Sequence, residues 1–75
     1  MGWDQKDAVG ELLQKGDRVK VFRNFGQDLE CASVVGHCGV AVQVEEGTYV
    51  GRYPIRVQTD SGRHLWVHHM SVMKV

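Results

Sequence analysis

Tyr53-Pro54-Ile55-Arg56-Val57-Gln58-Thr59-Asp60-Ser61-Gly62-Arg63-His64-Leu65-Trp66-Val67-His68 is the stretch whose pairing decides the fold of this chain. Polar and apolar residues alternate on both sides of Asp60-Ser61-Gly62, which marks two half-buried strands joined by a tight turn. Pro54 lacks an N–H and belongs at a strand start or on an edge. Two registers compete. A two-residue turn at Ser61-Gly62 sets Val57 on the face of His64 and Trp66. A three-residue loop, Asp60-Ser61-Gly62, with Gly62 left-handed at a bulge, shifts the pairing by one. Ile55 and Val57 then share a face with Leu65 and Val67. The second register buries four aliphatics together and uses glycine where positive φ is needed, so it is the expected one.

That register leaves Arg56, Gln58, His64, Trp66 and His68 on the opposite face. Trp and Arg are enriched at interface hot spots, so these five residues form the candidate partner-binding surface. The competing reading covers Trp66 from within by the N-terminal arm, through Trp3 or Leu12, because tryptophan is highly buried on average.

Working outward, Arg18-Val19-Lys20-Val21-Phe22 alternates and reads as a first strand, opened by Gly16-Asp17. Residues 23–33 show no period and read as a long loop. Gly36 and Gly39 suggest a tight turn or bulge entering a second strand over residues 40–44, with Val40, Val42 and Val44 expected on one face. Glu45 to Gly51 reads as a connection. His69-Met70-Ser71 fits a 3₁₀ turn, and residues 72–75 a short closing strand. Residues 1–14 read as an N-terminal arm or a short helix. Asp4 would cap that helix, and Ala8, Leu12 and Leu13 would form its stripe. Gly10 weakens it by about 1 kcal/mol. Residues 15–75 are expected to form a small barrel.

Composition bounds the function. The chain has 75 residues, 43% of them hydrophobic and 24% charged, which is globular rather than disordered. A domain this small has a thin core unless a partner or a second copy adds to it. It holds no apolar run near the roughly 20 residues that cross a bilayer and no signal segment, so the expected setting is soluble and cytoplasmic, with no membrane contact. Nine basic residues balance nine acidic ones, which argues against general nucleic-acid binding. The balance is uneven, with Arg52, Arg56, Arg63 and Lys74 facing only Asp60 in the last third. An acidic partner would suit that third, though a mixed solvated surface accounts for it as well.

Chemistry-bearing motifs are sparse. Cys31 and Cys38 make no disulfide framework and are expected to be reduced. Cys31, Cys38, His37, His64, His68 and His69 are metal-ligand types. Structural zinc needs four converging ligands, whereas His37-Cys38 and His68-His69 are adjacent and would point apart in a strand. No metal and no other cofactor is expected. No catalytic residue is assigned. Cys38 beside His37 in sequence does not establish a nucleophile–base contact. Glu45-Glu46 reads as a solvated turn pair, and Gly36 to Gly39 is too short for a phosphate cradle and precedes a strand.

Lys15 to Val21, Gly36 to Val44 and Tyr53 to Val75 together resemble an all-β, SH3-like five-stranded barrel. In texture they are similar to photosystem I reaction-centre subunit IV and the ferredoxin–thioredoxin reductase variable subunit. Those families have a Gly-x-x-Val-x-Val strand and a later Pro-hydrophobic-x-Val strand like Pro54-Ile55-Arg56-Val57. This resemblance implies a non-catalytic docking or supporting role. KOW/Tudor-like readers of nucleic acid or peptide share the outline. So does type II dihydrofolate reductase, which opens with a Gly-Asp-Arg-Val stretch like Gly16 to Val19. The reductase carries a late Val-Gln-Ile-Tyr motif in a pore formed by four subunits. Here the corresponding stretch is His64-Leu65-Trp66-Val67, so its active-site residues do not carry over.

The reading is a small binding module that contacts a protein partner or its own copies through one barrel face. The alternatives are a homo-oligomeric enzyme with an intersubunit site, and a KOW/Tudor-like reader.

Overall fold

The computed structural model describes residues 6–27, 29–45 and 54–75. The expected positions of Trp3, Asp4, Asp28, Glu46 and Tyr53 lie outside them. Along the chain run β1 (Arg18–Val21), α1 (Leu29–Ala32), β2 (Cys38–Val44), β3 (Ile55–Thr59), β4 (His64–Val67), a 3₁₀ turn (His69–Ser71) and β5 (Val72–Lys74). The five strands form one antiparallel sheet in the order β4-β3-β2-β1-β5. The fold is all-β and barrel-like, as the alternation predicts.

The hairpin takes the three-residue register. Val57 pairs with Leu65, Ile55 with Val67, Arg56 with Trp66 and Gln58 with His64. Gly62 has φ +92°, the left-handed conformation that the loop requires of it. Ile55, Val57, Leu65 and Val67 are all buried, together with Val19, Val21 and Val72. Each such side chain contributes about 1.5–3 kcal/mol of hydrophobic stabilisation.

β2 departs from the expected single valine face. The β2–β3 register shifts between Ala41 and Gln43, which makes Val42 an extra residue, a β-bulge. Before it, Val40 pairs with Gln58 on the outer face; after it, Val44 pairs with Ile55 and packs on the core. Ala41 and Gly39 supply the core-facing positions instead. A Cβ on Gly39 would collide with the Gln58 carbonyl oxygen and lie 2.8 Å from the Thr59 Cα, so β2 and β3 approach there as only glycine permits.

The loop expected over residues 23–33 contains one helical turn, α1. Cys31 on α1 and Val34, two residues past its end, are both buried in the core. A single turn is too short to show a period. The segment before α1 is tied to the 3₁₀ turn. Phe22 N–H donates to the Ser71 carbonyl at 3.0 Å, Phe25 N–H to Ser71 Oγ at 3.0 Å, and Arg23 Nε–H to the Met70 carbonyl at 2.7 Å.

Of the two expectations for residues 1–14, the described part, from Lys6 on, is an arm and not a helix. Lys6 and Leu12 form an isolated antiparallel bridge, and Gly10 turns the chain at φ +88°. Leu13 alone of the proposed helical stripe is buried in the core. The arm is organised by Asp7, which is fully buried. Its Oδ1 accepts from the N–H groups of Val9 and Glu11, at 3.0 and 2.8 Å, and its Oδ2 accepts from Lys74 N–H at 2.8 Å. The arm is thereby fastened to β5, helped by Ala8 N–H donating to the Val72 carbonyl at 3.0 Å. Among the described residues, no helix is long and apolar enough to cross a membrane.

Candidate functional site

The face opposite the core collects four of the five candidate residues. Arg56 and Trp66 are direct cross-strand neighbours, and so are Gln58 and His64. Gln58 and His64 are exposed, Arg56 is half-buried, and Trp66 keeps 36% of its surface in water. Leu12, one of the two residues named as a cover for Trp66, is itself 47% exposed.

His68 continues the i, i+2 series of His64 and Trp66, but β4 ends at Val67 and its ring is used differently. It is half-buried rather than exposed. Its Nδ1 accepts from Met70 N–H at 3.1 Å and so caps the 3₁₀ turn. Its ring lies 4.7 Å from the Phe25 ring and 4.7 Å from that of His69. Burial, and then the neighbouring charge of His69, pushes the His68 pKa below its ordinary value. His69 Nδ1–H donates to the Lys6 carbonyl at 3.0 Å, a second anchor for the arm. His68 therefore belongs to a structural clamp on the 3₁₀ turn.

The register also brings residues to the outer face that alternation within one hairpin does not reveal. Gln43 lies opposite Arg56, and Val40 lies between Gln58 and Arg18. Arg18 crosses β2 to bind Asp60 with two prongs, Nη1 to Oδ1 at 2.7 Å and Nη2 to Oδ2 at 2.9 Å. The hydrogen bond to Asp60, followed by its charge, raises the Arg18 pKa. The hydrogen bond from Arg18 holds the Asp60 carboxyl below its ordinary range. The signal for these contacts is the β1–β2–β3 register, which requires locating the bulge.

Among the described residues, no three His, Cys, Asp or Glu side chains converge as a metal site would require. Cys31 is buried and its thiol points to the Arg23 carbonyl at 3.8 Å, while Cys38 is half-buried. The site as built can offer an aromatic surface, a cationic group and amide groups for recognition. Comparison with known protein families, curated proteins and solved structures found no match for this chain.

Proposed function

We propose that this chain is a small, non-catalytic docking module of the SH3-like kind, which contacts a protein partner or its own copies through the outer face of β3 and β4. One observation carries the reading. Trp66, a large apolar side chain, stays 36% exposed on an edge strand, directly opposite Arg56. An exposed tryptophan with an arginine neighbour has the composition of an interaction hot spot. The thin core of a 75-residue chain gives a further reason for it to gain stability by association.

The test is light scattering on a sizing column across a range of concentrations, paired with capture of partners on immobilised protein. The wild type and Trp66→Ala are compared, with thermal melts of both. The expected result is a variant that folds normally and loses association. Association unchanged in a folded variant removes this face from the reading. Loss of the fold makes Trp66 a core residue. Salt-sensitive retention on a polyanion column would favour the nucleic-acid alternative instead.

A further inference from the structure

We infer that the open edge of β4 takes an extended, acidic segment of another protein, which adds to the sheet as a sixth strand beside His64 and Trp66. The inference rests on the docking reading above and supplies the chemistry of the partner. The strand order leaves β4 at an edge. Thr59 N–H donates to the Arg63 carbonyl at 2.8 Å, so these two residues form a hydrogen-bonded pair. Bonded and non-bonded pairs alternate along an antiparallel ladder. The pairs Gln58 with His64 and Arg56 with Trp66 are therefore the non-bonded ones. The backbone N–H and C=O of His64 and Trp66 consequently point away from β3. Among the described residues no backbone group bonds to them. α1 lies near β4, with Cys31 buried in the core, and among the described residues it sends no backbone hydrogen bond to this edge. Two residues apart on one strand, these groups match the repeat of an incoming extended chain.

Charge selects the occupant. Asp60 is the one carboxylate in the stretch from Pro54 to His68, and Arg18 already holds it. Glu45, at the end of β2, is engaged as well. Arg56 has no ion pair among the described residues, and Arg63 is exposed at the head of β4. A second copy paired antiparallel about Leu65 would set each His64 against the Trp66 of the other copy. It would also gather the arginines of both copies along one seam, which like-charge repulsion opposes. A strand carrying carboxylates on its outer face brings them past Trp66 toward Arg56 with opposite charge, and its alternate apolar residues continue the side of Leu65 and Val67.

Two fluorescein-labelled peptides of alternating sequence test this, one of Glu and Val and one of Lys and Val. Each is titrated into the full chain and followed by anisotropy, with amide hydrogen exchange read on the wild type. The Glu-Val peptide is expected to bind, to weaken with salt, and to slow exchange at the His64 and Trp66 amides. Arg56→Gln should weaken binding about tenfold. His64→Pro removes an outward N–H while sparing the bonds to β3, and should abolish binding. The exchange measurement on the wild type decides the matter if that variant fails to fold. Equal binding of the Lys-Val peptide, no binding of the Glu-Val peptide, or binding without protection at His64 and Trp66 overturns the inference. So does a dimer in which those amides are protected without peptide. Loss of association in Trp66→Ala alongside any of these results leaves the docking reading standing, whereas unchanged association removes both.

Discussion

Arg18 and Asp60 lie 42 positions apart and on opposite sides of β2, yet they form a two-pronged ion pair across its outer face. The pair ties β1 to the β3–β4 loop, which the strand order keeps from direct contact. It also neutralises the carboxylate closest in sequence to the Trp66 strand.

Removing it should cost little, because both side chains are about half exposed and water screens them. Arg18→Met is expected to lower Tm slightly, with the difference from wild type shrinking in high salt. The folded state depresses the Asp60 pKa, so the contribution is fully present above the ordinary value of 3.8 and is lost as pH falls through the lower, folded value. An NMR titration of the Asp60 carboxyl checks this: in Arg18→Met it should move up toward its ordinary position.

Asp7 should matter far more. Its two oxygens accept three backbone N–H groups in a fully buried place. Asp7→Asn presents an NH₂ to one of those donors and leaves it unsatisfied. The expected loss is about 1–3 kcal/mol, and each kcal/mol lowers Tm by roughly 4–8 °C in a domain of this size. Faster hydrogen exchange at Lys74 and Glu11 than elsewhere in the sheet would locate the damage, and a wild-type melt would contradict the assigned role.

Gly39 is a second sensitive position. Gly39→Ala forces a methyl group onto the β3 backbone at Gln58 and Thr59. Backbone cannot rotate aside as a side chain can, so a loss of about 1–3 kcal/mol or more is expected. Chemical denaturation of the purified variant measures it directly. A neutral result would mean that β2 and β3 are not so tightly apposed.

His68 gives the fold an acid sensitivity. Its folded-state pKa lies below the ordinary 6.5, so the unfolded chain takes up the proton first. Stability from this group is complete above about that value and declines as pH falls toward the lower, folded one. Protonation at Nδ1 would also forfeit the cap to Met70 N–H. Asn is a capping residue that does not titrate, so His68→Asn should flatten the dependence of Tm on pH below 6.5. An unchanged slope would assign the sensitivity to other groups.

The buried side of the sheet was legible wherever alternation ran unbroken. Ile55, Val57, Leu65 and Val67 follow from the period, and their register follows from the single requirement for positive φ at Gly62. The 3₁₀ turn and β5 were readable from local residue types. Val40 and Val44 were not separable, because a bulge adds a residue without any compositional mark. Asp7 was illegible for a different reason. An acidic side chain ordinarily signals the surface, and nothing local shows that three N–H groups, one from the far end of the chain, converge on it. On the candidate face, Arg56, Gln58, His64 and Trp66 came from alternation alone. His68 obeys the same alternation, but its strand ends one residue earlier and aromatic stacking redirects the ring.

The bulge at Val42 makes β2 a strand written in two frames. Odd positions serve the core before it and even positions after it, so the count of residues between Gly39 and Val44 carries information that their identities do not. Exchanging Val42 for another residue that suits a strand alters one half-buried side chain. Deleting it would leave Ala41, Gln43 and Val44 opposite Val57, Arg56 and Ile55 in one unbroken alternation, which removes the bend of the bulge and keeps each side chain on its face. One residue added elsewhere in β2 would turn part of the strand to the wrong face, so among relatives of this chain β2 should tolerate loss of the bulge residue better than an insertion.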